Sequence, residues 1–202
     1  MATIENVSRN KNLYLISAYA QTLKKSEKDP EDRNAFYSQL DSVVSKISSK
    51  HLVLVLGDFN AKIGIDSYDE ENSNILGKFL RSNTTNSSGE YLLEFAINNK
   101  FTIANSKFMQ KSSRLCTLES NDGKTKNQID YILIRSNYIN LVTNTRTYCD
   151  FDTYTHHKLL VLKIQFEWHK ITNQKRKSEP RINRSLFSEQ KYRDEYKTKT
   201  EE

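Results

Sequence analysis

Side chains that could act on a phosphate group follow a continuous apolar run, HLVLVLG, at residues 51–57. Asp58 and Asn60 come directly after this run, which is typical of a strand buried on both faces. A rigid strand would hold both side chains, so that Asp58 could orient or deprotonate a nucleophile and Asn60 could donate a hydrogen bond to a phosphate oxygen. Aspartate and asparagine also form turns at strand ends, and this purely structural role stays open.

A second carboxylate lies inside an apolar segment, NQIDYILI, at residues 127–134. Burying Asp130 in a strand would be costly without a partner, and a metal ion or a histidine could provide one. An edge position with Asp130 facing solvent is the alternative, because alternation along the strand would place Gln128 and Ile132 on the same side.

Two adjacent histidines, His156 and His157, precede another apolar segment at residues 159–166. An imidazole at the entrance to a strand can protonate or polarise a phosphoryl group, above all with a buried carboxylate behind it. Neighbouring histidines in a loop are more often ordinary polar surface residues. This motif therefore gains weight only together with the other two.

Hydrophobic periodicity predicts alternating strands and helices around these motifs. Strands are predicted over residues 12–19, 51–57, 101–104, 115–118, 128–134, 144–148 and 159–166. Helices are predicted over residues 31–50 and 88–99, and Ser87 or Ser88 would cap the second. Polar residues 64–85 are expected to form a long surface loop. This order favours a layered α/β or α+β domain with its sheets buried between helices.

The 202-residue chain has a net charge of +6, and much of it lies at one end. Residues 169–202 contain ten Lys and Arg against six Asp and Glu, a local +4 that leaves +2 for the first 168 residues. Clustered cations favour contact with nucleic-acid phosphates, although a solvated extension would have the same composition. A helix is expected at residues 186–196.

Cysteine content and hydropathy restrict the cellular setting. Cys116 and Cys149 are too few and too isolated for a disulfide framework or a zinc site. No apolar run approaches the ~20 residues of a membrane helix, and the short apolar stretch at residues 13–20 makes a poor signal peptide. We expect an intracellular protein, in the nucleus or the cytoplasm, that is neither secreted nor attached to a membrane.

The three motifs together resemble those of the endonuclease/exonuclease/phosphatase superfamily. The sequence is more closely similar to the endonuclease domains of RTE-type LINE retrotransposons and to the craniofacial development protein 2-like group. This resemblance rests on LISAYAQT, VLVLGDFNAKIG, NSSGEYLLEFAINNKFTIANSKF, RLCTLESNDGKTKNQIDYIL and HHKLLVLKI, which follow one another in family order between residues 15 and 164.

The resemblance implies a four-layer α/β sandwich in which two sheets pack face to face. Residues 11–168 would form a partial domain of this type, without the family's N-terminal half. Residues 1–10 would be an N-terminal extension, and residues 169–202 a basic C-terminal tail.

The resemblance also implies a DNA endonuclease that depends on Mg²⁺ or Mn²⁺. Tyr19 would contact the target phosphate, Asp58 would align or deprotonate the attacking water, and Asn60 would steady the phosphate. Asp130 would hold and polarise His157, which would stabilise the phosphorus centre or assist departure of the leaving group. The metal would neutralise charge that develops on the oxygens.

Departures from the family predict weakened catalysis. His156 stands where the family has an aspartate near the metal, beside Asp58, and a neutral imidazole weakens a site for a hard cation. The metal-binding glutamate of the family's N-terminal half is not among these residues. We therefore expect an impaired endonuclease domain derived from a LINE retrotransposon, without a reverse transcriptase domain. The alternatives are a non-functional fragment and a non-catalytic remnant that binds nucleic acid through Arg114, Lys124, Lys126 and the basic tail.

Overall fold

The computed structural model describes residues 1–8, 11–22, 30–120, 122–148 and 155–165. They all belong to the first of two units into which the chain divides, residues 1–169, and the second unit covers residues 170–202. The predicted basic tail, its helix at residues 186–196 and Cys149 lie outside the described residues.

The described residues form nine strands, several of them rich in β-branched and aromatic side chains. They are β1 (Ala2–Ser8), β2 (Lys11–Tyr19), β3 (Leu52–Asp58), β4 (Phe101–Ile103), β5 (Leu118–Glu119), β6 (Lys126–Asn127), β7 (Asp130–Arg135), β8 (Val142–Tyr148) and β9 (Leu159–Ile164). Five of them form a sheet in the order β1-β2-β3-β7-β4, in which only β2 and β3 are parallel neighbours. The pairs β5-β6 and β8-β9 form two small antiparallel sheets.

Three helices accompany the strands: α1 (Pro30–Ser45), α2 (Ser87–Asn98) and the single turn α3 (Ser112–Leu115). The cap of α2 is Asn86, whose side-chain oxygen accepts a hydrogen bond of 2.8 Å from the backbone N–H of Gly89. The prediction of Ser87 or Ser88 as the cap is therefore wrong by one or two positions. No helix among the described residues has the length and apolar character needed to cross a bilayer.

The helices α1 and α2 cover one face of the five-stranded sheet. Val53, Val55 and Leu133 of the sheet share a buried cluster with α1 and α2, which contribute Leu40 and Phe95 among others. Because β3 and β7 occupy the middle of the sheet, their apolar side chains are removed from water on both faces.

The hairpin of β8 and β9 lies against the opposite face of the sheet. Leu54 and Ile134 from the sheet form a second buried cluster with Val142 of β8, and Leu160 and Leu162 of β9 pack against it. Helices, a large sheet and a smaller sheet thus succeed one another as layers. This mixed α/β arrangement confirms the predicted fold class, a layered α/β sandwich.

The N-terminal residues are part of the sheet. β1 pairs antiparallel with β2, and Val7 is buried in the second cluster. The family resemblance predicted only an N-terminal extension over residues 1–10. Its backbone nevertheless covers the edge of β2.

Two segments differ from their sequence-based predictions because of tertiary contacts. Residues 64–85, expected to lie on the surface, bring Ile75, Leu76 and Leu80 into the core beneath α2. Residues 115–118, expected to form a strand, instead end α3 and begin β5. Apolar side chains spaced irregularly in a polar segment give no periodic signal, although they can still anchor a loop.

Candidate active site

Tyr19, Asp58 and Asp130 lie side by side at one end of the five-stranded sheet. Tyr19 pairs with Asp58 across β2 and β3, and Asp58 pairs with Asp130 across β3 and β7. Because directly opposite residues on neighbouring strands point to the same face, all three side chains lie on one face of the sheet. Leu54 and Leu56 precede Asp58 at alternate positions, so this is the face that carries the β8-β9 hairpin.

The chain turns sharply after β3, at Asn60. This residue has a φ of 45°, in the left-handed region that asparagine tolerates better than most side chains. Its backbone N–H donates to Asp58 Oδ1 at 2.8 Å, and its Nδ2 donates to the carbonyl oxygen of Ala20 at 2.7 Å. The turn therefore fixes the Asp58 carboxylate and ties it to the end of β2.

His157 lies between the two carboxylates. Its Nδ1 is 3.2 Å from Asp130 Oδ1 and 3.1 Å from Asp130 Oδ2, and its Nε2 is 3.8 Å from Asp58 Oδ2. In the tautomer that carries its proton on Nδ1, the ring donates to Asp130 and turns Nε2 towards Asp58. The geometry is that of a carboxylate–imidazole pair facing a second carboxylate.

The site is partly shielded from water. The side chains of Asp58, Asp130 and His157 are 13%, 17% and 37% exposed. Burial raises the pKa of Asp130, and hydrogen bonds from Thr117 and His157 partly oppose this rise by favouring the ionised form. The environment is thus less polar than water but retains an opening through which a charged ligand could reach His157.

Backbone pairing brings His157 to the sheet. Leu118 and His157 form an isolated antiparallel bridge, and the N–H of Lys158 donates to the carbonyl oxygen of Thr117 at 2.7 Å. The N–H of Glu119 donates to the carbonyl oxygen of His156 at 2.9 Å. The segment before β9 is therefore fastened to β5 and to the residue that precedes β5.

Two residues that the sequence did not single out position Asp130. The fully buried hydroxyl of Thr117 accepts hydrogen bonds from the N–H groups of Ile129 and Asp130, at 3.0 and 3.1 Å. Asn105 donates from Nδ2 to the carbonyl oxygen of Asp130 and accepts at Oδ1 from the N–H of Ile132, both at 3.1 Å. Both residues lie within the segments that carry the family resemblance, which is the only signal that could have indicated them.

Asp58, Asp130 and His157 could together hold a metal ion. Each offers one donor atom, and these atoms all lie within 4.8 Å of one another. Two carboxylates and one imidazole suit Mn²⁺ and, with less preference for the nitrogen, Mg²⁺. The oxygen of Asp58 that faces His157 is the donor least committed to other hydrogen bonds, so the donor set fits a cation held mainly through Asp58.

His156 and Tyr19 lie at the margin of this cluster. His156 is exposed and is not among the three described residues that converge as donors. Its expected place beside a metal therefore stays a prediction. Tyr19 is 69% exposed although its neighbours in the sheet are not, so its ring is open to a ligand from solvent.

The three cations expected to contact nucleic acid differ in how closely they are paired with carboxylates. Lys126 forms an ion pair of 2.7 Å with Glu119, while Lys124 makes only a loose contact of 3.9 Å with Asp122. Arg114 is exposed and has no carboxylate within 4.0 Å among the described residues. Of the three, Arg114 is the least neutralised.

The layered fold is that of the endonuclease/exonuclease/phosphatase type. Among solved structures, the chain is similar to the 3′ phosphatase NExo from Neisseria (TM-score 0.55, 14% identity, 77% of this chain and 62% of that one). It is also similar to the endonuclease domain of TRAS1, a telomere-specific non-LTR retrotransposon (TM-score 0.52, 12% identity, 83% of this chain and 70% of that one). At these identities the similarity shows the fold alone.

In sequence the chain is similar to Craniofacial development protein 2. It is 33% identical to the Bos taurus protein and 32% identical to the Tragulus javanicus protein, over 156 residues in each case. These residues are 77% of this chain but 25% and 26% of the two relatives, so the chain spans about a quarter of their length. No protein-family model matches the chain. The predicted similarity to the craniofacial development protein 2 group is therefore confirmed.

Proposed function

We propose that this domain is a divalent-metal-dependent phosphodiesterase of the nuclease type and that its substrate is DNA. The observation that carries the proposal is the convergence of Asp58, Asp130 and His157, from three separate segments, at one end of the sheet. The fold supports nucleic acid as the substrate class, since the NExo structure was solved with a product DNA hairpin and TRAS1 is a retrotransposon.

Each side chain has a role that its position supports. Asp58 aligns the attacking water and accepts its proton, since its Oδ2 faces the interior of the site. Asp130 accepts a hydrogen bond from the Nδ1–H of His157 and supports the cationic form of the ring, in which the Nε2–H donates to a phosphoryl oxygen or to the leaving group. Tyr19 contacts the target phosphate from the neighbouring strand. Asn60 shapes the turn and steadies the phosphate.

A divalent cation would be held through the Asp58 carboxylate, with Asp130 and His157 nearby. When bound, it would supply positive charge to offset the charge that develops on the phosphate oxygens. Without a third carboxylate in the described cluster, affinity for Mg²⁺ should be low, and Mn²⁺ should bind better because it accepts imidazole more readily.

We further propose that the domain derives from a LINE retrotransposon and is a slow enzyme. Support for slow catalysis comes from His156, an exposed imidazole where the family has a carboxylate. A second candidate function is binding to nucleic acid without cleavage. It is favoured by the exposed Arg114, which does not depend on an intact metal site.

The test is cleavage of supercoiled plasmid by the purified chain in Mn²⁺ and in Mg²⁺, combined with titration of Mn²⁺ followed by electron paramagnetic resonance. We expect slow nicking that is faster in Mn²⁺, stops on addition of EDTA and is abolished in Asp58→Asn. The same variant should lose the bound Mn²⁺ signal.

Glu94→Gln is the matched control, because it removes one exposed carboxylate from α2, away from the site. It should cut and bind Mn²⁺ like the wild type. Nicking that persists in Asp58→Asn would exclude the proposed site, and DNA binding without any nicking would leave the second candidate function.

A further inference from the structure

The outer face of the β8-β9 hairpin carries an arginine stacked on a tyrosine. The guanidinium of Arg146 lies 4.4 Å from the ring centre of Tyr148, and its Nη2 donates to the Tyr148 hydroxyl at 2.5 Å. Residues 146 and 148 alternate with the buried Thr145 and Thr147, so they point away from the sheet. An arginine held in this way has lost much of its conformational freedom before any ligand binds.

Two further cations surround the same tyrosine. Arg114 from α3 and Lys163 from β9 are both exposed, and together with Arg146 they lower the pKa of Tyr148, the hydrogen bond from Arg146 having the largest effect. Lys163 pairs with Asn144 in the hairpin, so it lies on the same face as Arg146 and Tyr148. Three positive charges therefore meet on one small surface.

These cations contrast with the lysines next to the site. Glu119 forms ion pairs with both Lys126 and Lys158, and its negative charge offsets part of theirs. Among the described residues, no carboxylate lies within 4.0 Å of Arg114, Arg146 or Lys163. Within the part of the chain that the structure describes, these three cations are therefore not neutralised by a carboxylate, whereas Lys126 is paired with Glu119.

The surface lies next to the proposed site. Tyr148 pairs with Leu159, at the start of β9 and two positions beyond His157. A polyanion that reached His157 would therefore pass close to Tyr148 and its cations. Spacing along the hairpin matches a chain of phosphates better than a single anion, because Arg146 and Lys163 belong to different rungs of the ladder.

We propose that Arg114, Arg146 and Lys163, with Tyr148 as a rigid support for Arg146, bind the phosphate backbone of DNA beside the cleavage site. This inference rests on the proposed function for the identity of the partner. The proposal leaves out Lys126, which the sequence predicted as a contact. It adds Arg146 and Lys163, which the sequence did not indicate. Such contacts give affinity without sequence preference.

The test is fluorescence anisotropy of a short labelled duplex with the variant R114Q/R146Q/K163Q, at roughly 50 and 200 mM salt. We expect weaker binding, and the slope of log K against log [salt] should become shallower by about one for each cation removed. Tyr148→Ala should give a smaller loss, because it frees Arg146 without removing its charge. Circular dichroism and thermal melting check that the variants are folded.

The matched control is K46Q/K50Q/K100Q, which removes three exposed cations beside the other end of the sheet. The inference is overturned if the two triple variants bind alike or if the wild type does not bind duplex DNA. If the wild type nicks DNA and R114Q/R146Q/K163Q binds as tightly as the wild type, only this inference is contradicted. If the three cations contribute to binding but no nicking occurs, only the proposed phosphodiesterase activity is contradicted.

Discussion

Asp58 and Asp130 are direct partners across the antiparallel strands β3 and β7, and the imidazole of His157 lies between their carboxylates. Two like charges at neighbouring positions of a sheet repel each other, and a histidine between them reduces that repulsion when it is protonated. The arrangement therefore distinguishes the two acids. Asp130 is committed to the histidine, and Asp58 faces the space where a ligand would bind.

Asp130→Asn should lower the rate of DNA cleavage by roughly 100-fold or more while leaving DNA affinity unchanged, because the amide cannot stabilise the charged imidazole. Single-turnover nicking measures the rate, and anisotropy measures the affinity. The ¹⁵N shifts of His157 should change as its preferred tautomer is lost. Glu94→Gln serves as the control, and a variant that cuts as fast as wild type would show that the pair is not catalytic.

Gly57→Ala should destabilise the fold by about 3 kcal/mol or more, since a backbone with positive φ is already strained for alanine and a clash adds to this. Gly57 has a φ of 152°, and a Cβ there would lie 1.8 Å from the carbonyl oxygen of Ala18. Gly123 provides the comparison, with a φ of 65° and no contact closer than 3.9 Å. Gly123→Ala should cost only about 1 kcal/mol. Urea denaturation measures both, and equal losses would contradict the role of the clash.

Thr117→Val should destabilise the protein by about 2 kcal/mol or more, because the isosteric change leaves two buried N–H groups without an acceptor. It should also raise the pKa of Asp130 further, since the Thr117 hydroxyl favours the ionised carboxylate. Thr117→Ser keeps the hydroxyl and should cost about 1 kcal/mol. Urea denaturation of the two variants distinguishes lost hydrogen bonds from lost packing. A serine variant as unstable as the valine variant would point to lost packing instead of lost hydrogen bonds.

Glu119→Gln should lower the melting temperature near neutral pH and have progressively less effect in acid. Lys126 and Lys158 hold the pKa of Glu119 at about 2, below its ordinary value of 4.5. A lowered carboxyl pKa contributes stability that is present above the unfolded value and is lost as the pH falls through the folded value. Melting curves of wild type and variant should therefore converge between pH 4.5 and about 2. A constant difference across that range would show that the ion pairs do not contribute.

The family resemblance predicted that the three chemical motifs meet, and Asp58, Asp130 and His157 do converge. The run of residues 51–57 and the segment of residues 127–134 had the composition of buried strands, and both are interior strands of the sheet. The alternative of Asp130 at a solvent-facing edge is excluded, because β7 lies between β3 and β4 and the side chain is 17% exposed. A continuous apolar run and a carboxylate inside an apolar segment are signals that can be recognised within one segment alone.

What the sequence could not show depends on contacts between distant segments. Neither Thr117 nor Asn105 differs locally from any buried polar residue, and their partners around Asp130 become evident only in the folded chain. Whether a basic side chain is paired with a carboxylate likewise depends on its surroundings in the folded chain. Lys126 and Arg146 are both basic, but only the first has a carboxylate against it.

The imidazole and the carboxylates are contributed by different layers of the molecule, because His157 precedes a strand of the hairpin whereas Asp58 and Asp130 belong to the large sheet. Any opening that lifts the hairpin from the sheet would disassemble the trio without unfolding either layer. Catalytic activity would then depend on the packing of the hairpin against the large sheet. On heating, the activity would be lost well before the secondary structure unfolds.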